Sequence, residues 1–479
     1  MPSSVQPARN KSSTATARAD HGPQREHAVV LGAGVAGLCA ARVLADHFQH
    51  VTVIERDPPA AGDHTRKGVP QGTHLHGLAL RGAEVFEELF PGLLTELTDA
   101  GATPAQALTQ MRVIFFGHLL RQVPTGSHFV MASRPFLENR LHARVSALPH
   151  VTLLDRHEAT RLLSHGGTVN GVQVVSTAPD ATARSIEADL VVDALGRSGR
   201  GAAWLMALGY TRPTEDRVRV DVRYASCRYR LPPDCLGTDR GVAVGATIAR
   251  PRGLAFFAQE NGIWALSLFG YGTAHHPPTS PEEFLARTQE LAPGDVWEAL
   301  RNAQPVGPIT TFGYPAVIRR RYHQLRRLPD GLLSIGDAVC SLNPIYGTGM
   351  TVAAMEALAL RDCLRYGTGD LPRRYYRATG KAIRIPWAIT MLADSTLPQV
   401  PTGHRLTKRA IATCLEAVLK AAAADPRVAA TLWGIISLTT SPTKLLRRHV
   451  FRSIYRNRWQ SPETRQASAE DPFPSRGRS

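Results

Sequence analysis

Three glycines near the start of the chain have the spacing of a phosphate-binding turn. The apolar run 28–31 leads into Gly32-x-Gly34-x-x-Gly37, a helical stretch follows, and a second β-branched run ends at Glu55. Gly32 permits a tight turn off the strand, Gly34 lets the backbone approach a pyrophosphate, and Gly37 lets the helix pack on the sheet. A helix N-terminus favours the negative pyrophosphate, and the Glu55 carboxylate is placed to accept hydrogen bonds from ribose hydroxyls. The segment therefore predicts a dinucleotide site.

A second glycine-rich turn far downstream narrows the ligand to FAD. An apolar strand ends in Gly-Asp at Asp337, and Pro344-x-x-Gly347-x-Gly349-Met350 then opens a long helical run. A carboxylate at such a strand end lies beside a flavin ribityl chain, and the positive end of the helix stabilises the reduced, anionic flavin at its N1–C2=O edge. We therefore predict FAD. Asp337, Gly347, Gly349 and Met350 are expected to bind it, with Pro344 at the flavin mouth.

A third segment carries a resemblance to a known family. Residues 188–200 form a buried-type strand that runs into a glycine- and arginine-containing turn beginning at Asp193. This run resembles the flavoprotein monooxygenases of the para-hydroxybenzoate hydroxylase type. In that family the corresponding turn helps to bind FAD, and a nearby aspartate is linked to transient NAD(P)H docking. Asp193 is open to two interpretations, a role in docking or a strand-end carboxylate that caps the turn.

Two further segments sharpen the resemblance. Residues 66–78 follow the second strand, and residues 133–141 begin a helix with Ser133 placed to cap it and Pro135 in its first turn. Together they are similar to the actinobacterial epoxidases that oxidise polyene chains in polyether biosynthesis, a branch related to the squalene epoxidases. The family resemblance covers about residues 27–457.

The resemblance implies roles for polar residues in and around these segments. It places Arg66 and Arg134 near the adenosine and pyrophosphate side of FAD, and Gln71 and His74 near the flavin mouth. Arg56, at the end of the second strand, is predicted to bind the cofactor as well. No catalytic acid or base is identified from the sequence.

His74 and His76 also invite a metal interpretation. Alternating histidines on an extended segment can project to one side and share an ion. No nearby cysteine, aspartate or third histidine completes a tetrahedral set at recognisable spacing. We predict polar histidines beside a cofactor, and no metal.

Composition narrows the class of protein. The 479 residues are 43% hydrophobic, enough for substantial cores. The six cysteines are scattered without a Cys-x-x-Cys pair, which argues against a disulfide framework, a zinc ribbon and a redox-active disulfide. Residues 1–26 are polar, and no run approaches about 18 uninterrupted apolar residues. We expect a cytoplasmic protein with no transmembrane segment.

The net charge of +16 rests on an excess of arginine. Nucleic-acid binding would need a basic patch with a recognisable module or stacking aromatics, and neither is found, so no nucleic-acid partner is predicted. A basic field could attract NADPH or an acyl-carrier protein, since both are anionic.

These segments predict an α/β protein with a Rossmann-like FAD-binding fold of the glutathione-reductase type, an inserted antiparallel β-sheet substrate domain and a C-terminal helical region. Gly or Pro residues separate strand-like runs, assigned to the inserted sheet, at 218–230, 241–249, 253–259 and 262–269. The predicted boundaries are disordered tails at 1–26 and 460–479, an FAD-binding domain at 27–97, 131–205 and 325–375, a substrate domain at 98–130 and 206–324, and a helical region at 376–459.

Aromatic residues in the inserted segments suit a lipophilic substrate. We expect two or three of them to face the cavity and the others to belong to the sheet core. They are Phe115, Phe116, Phe256, Phe257, Trp264 and Phe269.

Residues 443–459 are predicted to form an amphipathic helix. Leu446, Val450 and Ile454 recur at intervals of four, and arginines fall largely outside that stripe. Such a helix either packs on its own domain with solvated arginines, which we favour, or makes a peripheral contact with an anionic membrane.

The resemblance implies an FAD-dependent, NAD(P)H-consuming monooxygenase. It would insert one oxygen atom from O2, through a flavin C4a-hydroperoxide, into a lipophilic secondary-metabolite substrate. Olefin epoxidation of a polyketide or terpenoid is favoured over aromatic hydroxylation. The run 166–171 looks like a hairpin turn, so no second nucleotide domain is expected, and NADPH or NADH would dock transiently. The alternatives are an FAD-dependent dehydrogenase or reductase of a prenyl or polyketide chain, and a non-catalytic flavoprotein.

Overall fold

The computed structural model describes residues 25–58, 66, 68–232, 234–402 and 405–457. The strands are β1 (Arg25–Leu31), β2 (Phe48–Glu55), β3 (Thr103–Gln106), β4 (Met111–Phe115), β5 (His118–Leu119), β6 (His128–Met131), β7 (Val151–Asp155), β8 (His157–His165), β9 (Thr168–Ser176), β10 (Arg184–Glu187), β11 (Leu190–Asp193), β12 (Glu215–Arg230), β13 (Gly241–Val244), β14 (Arg252–Ala258), β15 (Ile263–Tyr271), β16 (Thr310–Arg320), β17 (Leu332–Ser334) and β18 (Cys340–Ser341). The α-helices are α1 (Val35–Leu44), α2 (Leu80–Leu89), α3 (Leu93–Asp99), α4 (Arg134–Ser146), α5 (Arg200–Ala207), α6 (Pro281–Leu291), α7 (Gly294–Leu300), α8 (Gly349–Leu364), α9 (Leu371–Ala382), α10 (Arg384–Ser395), α11 (Arg405–Ala424), α12 (Pro426–Ile436) and α13 (Arg448–Asn457).

A parallel sheet of five strands, in the order β17-β11-β1-β2-β7, forms the centre of the predicted FAD-binding fold. The strands at its centre are apolar and buried where they pair, as in β11, whose four residues are all buried. Val29 pairs with Val191, and both are fully buried. The sheet begins at Arg25, so residues 25 and 26 belong to β1 and not to the predicted N-terminal tail. The remaining residues of both predicted tails lie outside the described residues.

A small antiparallel sheet, β10-β9-β8, follows β7. Its β8–β9 hairpin turns at Gly166 and Gly167, which both have positive φ. The hairpin predicted for this run is therefore confirmed.

An eight-stranded sheet, in the order β18-β16-β12-β15-β14-β13-β4-β5, carries the inserted segments. The four predicted strand runs all contribute to it, although β13 ends at Val244, well before the predicted end at 249. The sheet is not purely antiparallel as predicted, because β13 and β4 pair in parallel. The 111–115 segment enters this sheet from a separate part of the chain, which leaves the strand direction free to differ.

The two faces of this sheet have different neighbours. Tyr224, Phe269 and Tyr271 pack in the same apolar cluster as the FAD-binding fold. Phe256 and Trp264 stack at 4.8 Å between ring centroids in a separate cluster with α6 and α7, so they are core residues and do not face the chamber.

Three further predicted aromatics contact another part of the chain. Phe115, Phe116 and Phe257 pack against the cluster that includes the helices α11–α13. Phe257 nevertheless shares the sheet face of Phe269, because Phe257 pairs with Ala265 and Phe269 with Gly253. Phe269 and Phe257 are therefore on the face that was expected to carry two or three of the six aromatics.

The C-terminal helices begin at Leu371, before the predicted boundary at 376. Helix α13 starts at Arg448, so Leu446 precedes it and is 78% exposed instead of forming part of a buried stripe. Val450 is fully buried, whereas Phe451 and Tyr455 are exposed among arginines. Among the described residues, no helix combines the length and apolarity needed to cross a membrane.

Candidate active site

The turn between β1 and α1 has the geometry expected of a pyrophosphate site. Gly32 has a φ of +101°, and a Cβ on Gly37 would lie 1.8 Å from the Gly32 carbonyl oxygen. No atom lies within 4 Å of the place where a Cβ on Gly34 would stand, and the helix start has no side-chain cap. The first N–H groups of α1 are therefore open to an anionic ligand.

Glu55 organises the adenosine side of this turn. Its Oε2 accepts hydrogen bonds from the Ala33 N–H and from Arg66 Nη1, both at 2.8 Å, while its Oε1 accepts one from the Asp57 N–H at 3.0 Å. Each carboxylate oxygen can accept about two hydrogen bonds. Oε1 therefore keeps the capacity for a ribose hydroxyl. The predicted partner Arg56 extends outward with its side chain 55% exposed, 3.9 Å from Asp57.

Arg66 and Arg134 share one buried carboxylate. Glu138 accepts a hydrogen bond from Arg66 Nη2 at 2.9 Å and another from Arg134 Nε at 2.7 Å. Burial alone would raise the pKa of Glu138, but the two guanidinium groups outweigh it and hold that pKa below its usual range. Sequence reasoning missed Glu138. Its place four residues after Arg134 on one helix was the available signal.

Asp193 ends β11 and pairs with Ser334 at the end of β17, and Asp337 follows three residues later in a short 3-10 turn. Asp193 is buried and accepts hydrogen bonds from the Leu195 N–H at 3.0 Å and from Ser334 Oγ at 3.4 Å. These bonds favour the capping interpretation of Asp193. Burial raises the pKa of Asp337, and the charges of Arg197 and Arg134 oppose that rise.

The start of α8 has the same open character as the first turn. No atom lies within 4 Å of a Cβ placed on Gly347 or on Gly349, and the helix has no side-chain cap. The hydroxyls of Thr348 and Thr351 are buried without a hydrogen-bond partner. The Thr348 hydroxyl fits a polar ligand at this helix start, whereas the Thr351 hydroxyl lies against Gly82 of α2. Met350 is buried beside them.

A second carboxylate missed from sequence lies behind the Gly-Asp turn. Glu356 is fully buried on α8 and accepts a hydrogen bond from the Gly336 N–H at 2.5 Å. Burial, with the nearby Asp337 carboxylate adding to it, raises the pKa of Glu356 well above its usual range. Glu356 therefore ties the turn at Gly336 to α8.

His74 lies at the inner face of the eight-stranded sheet. Its Nδ1 is 2.7 Å from Ser226 Oγ, which is 2.5 Å from Ser267 Oγ, and Ser267 Oγ accepts the Leu75 N–H at 3.2 Å. Every hydroxyl hydrogen finds an acceptor when Ser267 donates to Ser226 and Ser226 donates to Nδ1. The imidazole proton then lies on Nε2, which is buried without a partner. Burial lowers the pKa of His74 to about 4, so the ring is neutral.

Gln71 and Pro344 are the other residues predicted at the flavin mouth. The Gln71 carbonyl accepts the His74 N–H at 3.1 Å, and Pro344 is exposed. His76 Nδ1 hydrogen-bonds to the His74 carbonyl at 2.9 Å. The two histidine rings thus have separate partners.

A third missed carboxylate comes from the C-terminal helices. Asp394 on α10 is fully buried and accepts hydrogen bonds from the hydroxyls of Tyr271 and Tyr346, both at 2.8 Å, and from Asn343 Nδ2 at 3.1 and 3.2 Å. Asn343 Oδ1 in turn accepts the Tyr224 hydroxyl at 3.4 Å. The 343–347 loop is therefore held between the sheet and α10.

The structure brings the predicted residues together in two groups. The group around the first turn comprises Gly32, Gly34, Gly37, Glu55 and Arg66. The group around the 343–350 segment comprises Pro344, Gly347, Gly349 and Met350. Arg134 extends between them, since it contacts Glu138 and acts on the charge of Asp337.

Comparison with known proteins agrees with this geometry. The sequence model of a family described as an FAD binding domain matches residues 25–365. The chain belongs to this family, within the flavin monooxygenases of the para-hydroxybenzoate hydroxylase type. FAD is its cofactor, and the glycine turns, the uncapped helix starts and the orphaned Thr348 hydroxyl fit that molecule.

Individual relatives cover most of the chain. Protein Rv3254 of Mycobacterium tuberculosis is 37% identical over 426 residues, covering 85% of this chain and 88% of the relative. Kynurenine 3-monooxygenase of Salinispora tropica is 26% identical over 447 residues, covering 88% and 89%. The crystal structure of PqsL, a probable FAD-dependent monooxygenase from Pseudomonas aeruginosa, shares the fold with a TM-score of 0.59 at 19% identity, covering 77% of this chain and 95% of that one.

Proposed function

We propose that this FAD-dependent monooxygenase transfers one oxygen atom from O2 to an electron-rich π-system of a lipophilic substrate, with NADPH or NADH as reductant. The observation that carries the proposal is the aromatic face of the eight-stranded sheet beside the 343–347 loop. Tyr224 packs there with Phe269 and Phe312, and its hydroxyl donates to Asn343 Oδ1 at 3.4 Å. The similarity to kynurenine 3-monooxygenase supports the same reaction class.

The bound flavin supplies the reducing equivalents and the activation of oxygen. The chain's residues bind, orient and exclude water. Gly34 and the start of α1 would hold the pyrophosphate, Glu55 the ribose, and the start of α8 the flavin edge that becomes negative on reduction. The aromatic face of the sheet would exclude water from the reacting atoms and position the substrate.

The unpartnered Nε2–H of His74 narrows the substrate class. A buried donor without a partner costs about 1–3 kcal/mol, which a ligand acceptor would remove. His74 packs between the rings of Tyr224 and Phe312, at 6.0 and 5.8 Å between centroids. These contacts favour a substrate in which a flat π-system adjoins a carbonyl, phenolic or carboxylate oxygen.

Aromatic hydroxylation is the first form of the reaction that we propose. Its support is the polar lining just described, together with a relative whose name denotes an aromatic substrate. Olefin epoxidation of a polyketide or terpenoid in secondary metabolism is the second, and it rests on the resemblance of residues 66–78 and 133–141 to polyene epoxidases. A transient docking of NAD(P)H remains part of the proposal. So do the domain boundaries given above, except that residues 25 and 26 join the FAD-binding domain and the helical region begins at Leu371.

The first experiment is anaerobic reduction of the purified protein with NADPH or NADH, followed by rapid mixing with O2. The reoxidation half is repeated with dithionite-reduced protein, since nicotinamide reduction can be slow without substrate. A transient blue-shifted flavin species, and labelled oxygen from O2 in an aromatic or polyene product, are expected. Direct return to oxidised flavin with peroxide release, unchanged by these substrates, would instead favour the dehydrogenase or reductase alternative.

A further inference from the structure

The 343–347 loop precedes the helix start that is proposed above to hold the flavin edge, and Ile345 packs it against the main apolar cluster. Inside the loop, the Gly347 N–H donates to the Pro344 carbonyl at 2.9 Å, and Asn343 Oδ1 accepts the Ile345 N–H at 3.3 Å. These bonds set the shape of the loop but do not attach it to the rest of the protein.

The hydrogen bonds to other elements run through Asn343 and Tyr346. Both side chains donate to the Asp394 carboxylate of α10, and Asn343 Nδ2 also donates to the Tyr271 hydroxyl at 3.0 Å. Asp394 thereby joins three separate parts of the chain, namely the loop, the sheet and the C-terminal helices.

The hydrogen-bond pattern suits an ionised carboxylate. The Tyr271 hydroxyl accepts from Asn343, so its own hydrogen points to Asp394, and Tyr346 donates to the same oxygen. A proton on Asp394 would have to be accepted by one of these phenol oxygens. That phenol would then have to turn its own hydrogen away from the carboxylate, so protonation removes one of the bonds that hold the loop.

No cation compensates this charge among the described residues. The titratable groups that face Asp394 are the phenols of Tyr271, Tyr346 and Tyr224, and burial raises the pKa of each well above its usual range. For Asp394 burial dominates as well and raises its pKa to about 6, although the three hydrogen-bond donors oppose this. Near neutral pH the carboxylate is thus the one charged member of the group.

We propose that Asp394 is the positioning residue of the flavin mouth, and that its ionised form holds the 343–347 loop where the start of α8 can engage the flavin. The consequence is a coupling between the C-terminal helices and the cofactor. When Asp394 gains a proton, the loop loses the acceptor shared by Asn343 and Tyr346. FAD affinity and the flavin spectrum then change together.

The test is a titration of the apoprotein with FAD, in which binding is measured by the quenching of flavin fluorescence. The titration is repeated at pH values from about 5 to 8, a range that brackets the shifted pKa of Asp394. In the unaltered protein we expect affinity to fall by about tenfold below a midpoint near 6, which corresponds to about 1.4 kcal/mol. Asp394→Asn is expected to bind FAD weakly at all these pH values, with no midpoint. Asp362→Asn is the matched control, because Asp362 is exposed on α8, and it should reproduce the unaltered curve.

Tyr346→Phe keeps the test decisive if Asp394→Asn fails to fold. It removes one donor to the carboxylate and leaves the ring, so it should move the midpoint to higher pH and shift the visible spectrum of the bound flavin. FAD affinity that is flat across this pH range in the unaltered protein overturns the proposal. So does a midpoint that survives in Asp394→Asn or stays in place in Tyr346→Phe. Because the readout is cofactor binding, it is independent of whether the protein oxygenates aromatic or olefinic substrates.

Discussion

Neutralising Glu138 is expected to destabilise the protein strongly. In the folded chain this carboxylate lies between Arg66 and Arg134, whose side chains are 9% and 12% exposed. Removing one partner of a buried ion pair costs about 3–5 kcal/mol, because the remaining charge stays buried without compensation. Arg66 keeps its bond to Glu55 at 2.8 Å, so for Glu138→Gln we expect the lower part of that range, about 3 kcal/mol.

This cost is measured by urea unfolding of the apoprotein at pH 7, monitored by circular dichroism. Asp46→Asn is the control. Asp46 pairs with Arg42 at 2.7 Å on the surface, where an ion pair contributes about 0–1 kcal/mol. The folded-state pKa of Glu138 is lowered, so its contribution is present above the ordinary value of 4.5 and is lost as the pH falls through the lowered folded value. The difference between Glu138→Gln and the unaltered protein should therefore shrink in acid. A pH 7 difference no larger than that of Asp46→Asn would refute the reasoning.

Four further outcomes are expected. Gly37→Ala places a Cβ 1.8 Å from a backbone oxygen, so the purified protein should carry no flavin by visible absorbance. His74→Phe keeps ring packing but removes the Nε2–H, so it should retain FAD while most reduced flavin yields peroxide instead of oxygenated product. The unaltered protein should lose about 3 kcal/mol of stability as the pH rises from 3.8 to about 6, because the folded pKa of Asp394 exceeds its ordinary 3.8. Asp394→Asn should lose this slope in pH-dependent melting. Paired alanine substitution of Phe451 and Tyr455 should weaken flotation with anionic vesicles roughly tenfold, and no binding by the unaltered protein would exclude the peripheral membrane contact.

The sequence predicted the parts of the fold whose rules are local. The Gly32–Gly37 spacing, the Asp337 strand end and the 166–171 hairpin each depend on backbone conformation within a few residues, and periodicity located the strands of the eight-stranded sheet. The direction of β4 was not predictable, because its parallel pairing with β13 joins segments more than a hundred residues apart.

The aromatic residues show where composition stops being informative. Phe256 and Trp264 look as suited to a lipophilic chamber as Phe269 does, yet they stack on the far face of the sheet. Alternation along a strand predicts that neighbours face opposite sides, but it does not say which side meets the cofactor domain. That assignment depends on how two distant sheets pack.

The three carboxylates that were not predicted from the sequence have different charged neighbours at the two ends of the site. Glu138 lies between arginines, so its pKa is lowered and the group stays ionised beside the turn that would receive an anionic pyrophosphate. Glu356 and Asp394 have only neutral donors, and burial raises the pKa of both. The flavin end therefore has no fixed cation at these carboxylates, and the uncapped start of α8 can respond to the negative charge that arises when the flavin is reduced. If the start of α8 holds the flavin as proposed, a fixed cation there would stabilise the reduced flavin permanently, whereas a helix start held by Asp394 would stabilise it only while the loop is in place.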